Sequence, residues 1–405
     1  MKKLSLSILS SFLCLCSFAQ ADNKILIGSI DSIQSKMLNE NRKIWIYVPK
    51  GITDSVFLPQ RYPVIYLLDG DRHFSSVVGM LQQMSSASGS QVCPEMIVVG
   101  IPNTKRTRDL TPTRPSVDTT ANSGGGEQFM SFIEKELIPY IDSVYPTQPY
   151  KMLIGHSLGG LTVMNALLNH TRLFNSYIAI DPIMWWDNQN LLKASKHLLI
   201  QKSFDKKSLY LGIANTMVKG MNVNDVVNDT AANTVHIRSI LEIDKYIKSQ
   251  NPKGFNYASK YYEKDNHFSV SLITEYDGLR FIFEKYPLTF SVSSKEYNDS
   301  TFDLAVRVAF HFKMVSEFME YPVMMPENQI NAEAYQLLRL KQYKKAEGCF
   351  KLYIDNYPKS FNAFNAYGDF FVAIGNKEKA VEQFKKALAI RDYQETRKKL
   401  TKLLE

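Results

Sequence analysis

Lys151-Met152-Leu153-Ile154-Gly155-His156-Ser157-Leu158-Gly159-Gly160 is the stretch that decides the fold. Its first four residues form an apolar run of strand character, and residues 160–168 continue as a helix. A serine between them, with glycine two before and two after, demands a very sharp strand-to-helix turn. Small residues at those two places let the backbones pass without a clash. The Ser157 hydroxyl then stands at a helix N-terminus, where the dipole favours negative charge. The backbone N–H of Leu158 is aimed as an oxyanion donor. A strand before the motif and a helix after it are the context of a nucleophile elbow.

Outward from this turn, apolar runs alternate with helical patterns. Trp45-Ile46-Tyr47-Val48, residues 63–68 ending at Asp69-Gly70, and residues 96–101 precede it. Tyr177-Ile178-Ala179-Ile180, residues 209–213 and Ser259-Lys260-Tyr261-Tyr262 follow it. Short continuous apolar runs bounded by turn residues suit strands buried on both faces of a parallel sheet. Residues 128–143 place Phe129, Phe132, Ile133, Leu137 and Ile141 on one helical stripe. The class is α/β, with a mostly parallel central sheet. From about Ser291 strand-like runs disappear and helical periods dominate. Ala346 and Ala380, Tyr343 and Lys377, and Phe350 and Phe384 are each 34 residues apart. That period resembles the tetratricopeptide repeat, two helices per unit, with Ala334 where a glycine is usual. The expected division is a signal segment at 1–21, a catalytic domain at 22–290, a helical linker at 291–326 and helical repeats at 327–405.

The N-terminal segment carries Lys2 and Lys3, then an apolar stretch too short to span a bilayer, then Ala19-Gln20-Ala21. This reads as a cleavable secretory signal and predicts a periplasmic or secreted protein. The formal net charge is +8, or +6 without Lys2 and Lys3. The charges are scattered and no basic run is interleaved with aromatics, so nucleic acid is not an expected partner, and no later run has membrane length. Of the four cysteines, Cys14 and Cys16 lie in the signal. Cys93 and Cys349 fall in different regions and are expected to be buried free thiols.

Five motifs in order resemble the esterase family of the α/β-hydrolase superfamily. They are Tyr66-Leu67-Leu68-Asp69-Gly70, then Gly100-Ile101-Pro102-Asn103 with Arg108-Asp109-Leu110-Thr111-Pro112, then the elbow. Asp181-Pro182-Ile183-Met184-Trp185-Trp186 and Asp265-Asn266-His267-Phe268-Ser269-Val270 complete the set. The family includes feruloyl and acetyl-xylan esterases, S-formylglutathione hydrolases and siderophore trilactone esterases. The resemblance covers residues 44–286 and implies an α/β-hydrolase fold and ester cleavage without a cofactor.

A serine nucleophile needs a base. Of the seven histidines, His156 lies inside the elbow and is expected to point away. His73, His170, His197, His236 and His311 fall in helix-like or loop segments without the right order. His267 follows the last strand-like run, where this fold carries its base. The acid stays open. After residues 209–213 the chain reads Ala214-Asn215-Thr216-Met217, with no carboxylate. Asp181, at a strand end before Pro182, ranks first. Asp229 is the alternative, although Asp229-Thr230 also reads as a helix N-cap. A Ser–His dyad with no acid, as the resemblance to siderophore esterases implies, is the third option. By the family pattern the second oxyanion donor is the backbone N–H of Asp71. Trp185 and Trp186 read equally as substrate walls and as core aromatics. Arg106 and Arg108 read as anion contacts or, beside Asp109, as a structural ion pair. No His/Cys/Asp cluster has ligand spacing along the chain, so no metal is expected. The expected substrate is a small-molecule or glycan-linked ester, with a protein partner for the helical repeats. The competing readings are a different acyl transfer at this site, or a non-catalytic scaffold acting through the repeats.

Overall fold

A computed structural model describes residues 25–51, 55–85, 91–118, 122–288, 299 and 301–405. The signal expected at 1–21 lies outside the described residues. Eight strands form one sheet in the order β1-β2-β4-β3-β5-β6-β7-β8. They are β1 Ser29–Ser35, β2 Glu40–Tyr47, β3 Tyr62–Leu68, β4 Ile97–Ile101, β5 Thr147–His156, β6 Ser176–Ile180, β7 Ser208–Ala214 and β8 Asn256–Tyr262. β1 pairs antiparallel with β2, and β2 with β4. All later pairings are parallel. From β3 the chain first goes to β4 on one side and then to β5 on the other. The loops after β3 and β5 therefore part, which opens a crevice at the carboxyl edge of the sheet.

Successive residues of the central strands feed opposite faces. On one face Ile65, Leu67, Met152, Ile154, Ile178 and Ile180 pack with α1 (Gly70–Ser85) and α9 (Val270–Ile282). On the other, Val64, Tyr66, Leu68, Leu153, Ala179 and Leu211 meet α3 (Gly126–Phe132), α5 (Leu158–Asn169), α6 (Trp186–Gln201) and α8 (Val235–Gln250). A five-residue π-helical turn, Ile133–Leu137, joins α3 to α4 (Ile138–Val144) and keeps Ile133, Leu137 and Ile141 inward. α2 (Arg106–Leu110) is tied to β2 by a charge cluster. Buried Arg42 meets Asp109 at 2.7 Å, and Arg108 bridges Asp109 at 2.6 Å and Glu40 at 2.8 Å. Arg108 is thus a structural ion-pair residue. Cys93 and Cys349 are free and buried. Burial pushes both thiols up to about 12, so neither is a ready thiolate.

The remaining elements are helical: α7 (Val223–Val226) near the sheet edge, then α10 (Leu304–Met319), α11 (Glu327–Arg339), α12 (Tyr343–Asn356), α13 (Phe361–Ala373), α14 (Lys377–Ile390) and α15 (Gln394–Leu404). Positions one 34-residue period apart match in burial: Ala346 with Ala380 and Phe350 with Phe384 are all fully buried. A Cβ at Gly368 would run into the Phe384 ring, so the helix pair packs too closely there for any larger residue. The expected linker 291–326 contains α10, whose Phe318 ring lies 6.1 Å from Tyr150 and 6.3 Å from Phe283. The core is continuous from the sheet into the helical tail.

Buried Glu327 fastens this junction. One carboxylate oxygen accepts the Leu58 N–H at 2.7 Å, and the other accepts the Tyr353 hydroxyl at 2.8 Å and the Ser360 hydroxyl. Arg391 also donates to the Ser55 carbonyl at 2.6 Å, and Asn175 to Glu320 at 2.9 Å. Glu327→Ala orphans two buried hydroxyl donors and the Leu58 N–H. It should destabilise the chain by about 2–3 kcal/mol in urea unfolding monitored by tryptophan fluorescence. A loss under about 0.5 kcal/mol would show that the junction does not depend on this carboxylate.

Candidate active site

The turn between β5 and α5 holds Ser157 at φ 62 and ψ −116, a conformation a non-glycine residue rarely adopts. The glycines explain how it is kept. A Cβ at Gly155 would lie 2.5 Å from the Gly159 carbonyl group, and one at Gly160 would lie 2.9 Å from the Ile180 oxygen. Ser157 N–H donates to the Ile180 carbonyl at 2.9 Å, and Ile183 N–H donates to the Ser157 carbonyl at 3.2 Å. The turn is therefore stitched to the loop after β6.

That loop carries Asp181, itself at φ 42 and fully buried. The structure brings Asp181 and His267 together with Ser157. His267 Nε2 lies 3.1 Å from the Ser157 Oγ, and His267 Nδ1 lies 2.6 Å from Asp181 Oδ2. Asp181 Oδ1 accepts the Ala214 N–H at 3.0 Å. Burial opposes the charge on Asp181. The hydrogen bonds from His236 and His267 outweigh it and hold the carboxyl well below the usual carboxylate range. Asp229 lies elsewhere in the scheme. Its oxygens accept the Thr230 N–H at 2.9 Å, the Ala231 N–H at 3.3 Å and the Thr234 hydroxyl at 2.6 Å, so it ties the turn ahead of α8, whose N-cap is Thr234 and not Asp229 as expected.

Leu158 and Asp71 lie in the first turns of α5 and α1, where backbone N–H groups have no intrahelical acceptor. The loop bearing Asp71 is braced from the end of β4. Arg106 clamps buried Asp69 at 2.6 and 2.9 Å, and the Asn103 amide donates to the same carboxylate at 2.7 Å. Arg106 also reaches the His156 carbonyl at 3.4 Å. Burial works against ionisation of Asp69, but the Arg106 contacts lower its pKa on balance. Arg106 is thus committed to the scaffold. Trp186 donates its indole N–H to the Thr113 carbonyl at 2.9 Å and packs into the core. Trp185 is 38% exposed and Phe268, beside His267, is 83% exposed. A cavity of about 860 Å³ lies elsewhere, between the sheet edge and the helical tail, and the residues of the Ser157 cluster do not line it.

The family model described as "Putative esterase" matches residues 35–258. The chain belongs to this esterase family. An IroE-like serine hydrolase from Shewanella oneidensis has a solved structure that is 30% identical, with a TM-score of 0.67 over 80% of this chain and 98% of that one. The ferri-bacillibactin esterase BesA of Bacillus subtilis is 33% identical over 177 residues, 40% of this chain and 61% of that protein. The siderophore triacetylfusarinine C esterase of Aspergillus fumigatus is 29% identical over 143 residues, 33% of this chain and 48% of that protein. The chain thus spans about half to three-fifths of the length of these curated relatives. An uncharacterised protein from Capnocytophaga ochracea, 19% identical with a TM-score of 0.60, shares the fold over 93% of this chain, helical tail included.

Two histidines of this esterase escaped the sequence reading. His236, set aside as lacking the right order, donates from Nε2 to Asp181 Oδ2 at 2.8 Å. It is the second residue of α8, which begins at the same sheet edge as the loop after β6. That placement was the only available signal. His156 does not point away. Its Nε2–H donates to the His267 carbonyl at 2.7 Å, and the two rings lie 4.6 Å apart. Asp181, His236 and His267 also form a cluster whose ligand atoms lie within 4.8 Å of one another, which their distant positions along the chain conceal. These atoms are already joined by the hydrogen bonds of 2.6 and 2.8 Å, so a cation there would displace the proton that orients His267.

Burial, joined by the nearby His267, pushes His156 from its ordinary 6.5 down to about 4. The neutral form is the folded form, so the unfolded chain takes up the extra proton between those values. The stabilisation is complete above pH 6.5 and is lost as pH falls towards 4. Going from pH 7 to 5, the native protein should lose about 1–2 kcal/mol more unfolding free energy than His156→Gln. Equal losses in urea titrations of both proteins would rule this out.

Proposed function

We propose that this esterase cleaves a carboxylic ester through an acyl-enzyme on Ser157. The observation that carries the reading is the unbroken hydrogen-bonded line from the Ser157 Oγ through His267 to buried Asp181. Ser157 Oγ attacks the acyl carbon as His267 Nε2 takes its proton. The Leu158 and Asp71 N–H groups hold the oxyanion. The intermediate collapses, the alcohol leaves with the proton from Nε2, and the acyl group stays on Ser157. Water then attacks with His267 again as base, releasing the acid and restoring the hydroxyl. Asp181 orients His267 and stabilises its cation without taking the proton. This assigns the acid to Asp181 over Asp229 and over a dyad without an acid.

A siderophore-type ester is the substrate class this reading favours. Support comes from the curated relatives, named as siderophore esterases, and from the exposed rings of Trp185, against His236, and Phe268, against His267. The signal pattern of the N-terminal sequence supports activity outside the cytoplasm.

The test is cleavage of p-nitrophenyl acetate and butyrate, then of siderophore trilactones. Ser157→Ala and His267→Ala should each lose about 10³-fold or more in kcat, and Asp181→Asn at least about 10²-fold. Ser157→Ala at native rates would sink the mechanism. Asp181→Asn at native rates would restore the dyad.

A further inference from the structure

Asp181 has a second imidazole partner that the mechanism above does not use. His236 Nε2 stands 2.8 Å from the same Oδ2 that His267 contacts. The other ring nitrogen, Nδ1, lies 3.2 Å from the Trp185 indole nitrogen. An indole N–H donates and never accepts. Nδ1 must therefore be the acceptor, which leaves the ring proton on Nε2, facing Asp181. His236 is held in one neutral tautomer by its neighbour.

The backbone around Trp185 is built for this contact. Asp187, Asn188 and Gln189 follow it at φ 50, 53 and 63, three consecutive left-handed residues inside the start of α6. Such a run is strained and persists only where its surroundings over-determine it. Gln189 N–H closes the turn on the Trp185 carbonyl at 3.2 Å. The turn presents the indole to His236, while Trp186 beside it goes into the core.

We propose that His236 is a positioning residue: fixed by Trp185, it holds the Asp181 carboxylate in orientation and shares its charge, and so sets the basicity of His267. The proposal rests on the reading of Ser157, His267 and Asp181 given above. With the His236 donor in place, part of the Asp181 charge is already engaged. Without it, the carboxylate would keep its full charge for the His267 imidazolium, which moves the acidic limb up, and would lose the contact that fixes its orientation, which slows the reaction. The other titratable groups facing His267 are His156 at 4.6 Å between rings and, behind it at 5.9 Å, His73, which is paired with Glu275 at 3.0 Å.

The experiment measures the rate of Ser157 labelling by a fluorophosphonate between pH 5 and 9, which needs no natural substrate. The full chain is compared with His236→Phe, His236→Gln and Ser157→Ala. Phenylalanine keeps an aromatic ring, slightly larger, and removes the donor, whereas the glutamine amide N–H can still donate to Asp181. His236→Phe should slow labelling about tenfold and move the acidic limb up by about half a pH unit. His236→Gln should recover most of both. Should His236→Phe fail to fold, Trp185→Phe reads the same line by removing the N–H that fixes the tautomer, together with the five-membered ring that carries it, with labelling slowed about threefold. Unchanged rate and limb in His236→Phe would overturn the proposal, as would His236→Gln losing as much as His236→Phe. In the fallback, unchanged labelling in Trp185→Phe would do the same. Labelling that persists in Ser157→Ala would instead overturn the underlying mechanism.

Discussion

The crossing of α5 over β5 is the constraint from which the rest of the site follows. Nothing larger than hydrogen fits at Gly155, where a Cβ would sit 2.5 Å from the next turn of backbone. The helix therefore starts directly on the strand, and Ser157 takes the conformation that lifts its side chain out of the sheet. That strain needs a rigid frame. Leu158 through Leu168 are all buried, so α5 cannot shift to relax the turn. The two backbone hydrogen bonds between the Ser157 peptide and the loop after β6 then fix Asp181 relative to the serine. Ser157 and the buried Asp181 carboxylate belong to one backbone unit.

Parallel strands end at a common edge, and this topology collects the remaining residues. Ser157 follows β5, Asp181 follows β6, His236 lies in the first turn of α8 between β7 and β8, and His267 follows β8. The sequence makes the central strands legible because runs such as Pro63-Val64-Ile65-Tyr66-Leu67-Leu68 are apolar on both faces. Ser157 and His267 are legible for a related reason, since motif and order place them at strand ends. β1 is not legible. Its Ser29–Ser35 segment has a mixed pattern, and Ile30 is 68% exposed on an edge strand. His236 is not legible from local pattern, because its meaning comes from where α8 begins and from a tryptophan 51 positions away.

The helical tail shows the same division between local and distant information. Its 34-residue period is visible in the paired alanines and phenylalanines, because each unit packs by its own small and large residues. Glu327 reads locally as an ordinary acid in a helix first turn. Its burial is set by a partner 269 positions earlier, the Leu58 N–H. No periodicity carries that contact. Its effect is to join the tail to the catalytic layer as one continuous core.

Two buried aspartates, at the ends of β3 and β6 on either side of β5, show how the site divides its charges. Asp69 and Asp181 both sit in left-handed backbone, at φ 52 and 42. Asp69 faces a guanidinium in a two-bonded clamp, a permanent cation that consumes its charge. It can brace the turn that bears Asp71 but has little to offer a charge that appears nearby. Asp181 faces only N–H dipoles, from His236, His267 and Ala214. These keep it ionised without neutralising it. In the proposed mechanism its charge stays available for His267, the neighbour that would gain a proton when Ser157 reacts. A guanidinium in the place of His236 would hold Asp181 just as firmly and would oppose the His267 cation. A neutral imidazole, kept neutral by an indole N–H, avoids that opposition while still fixing the carboxylate.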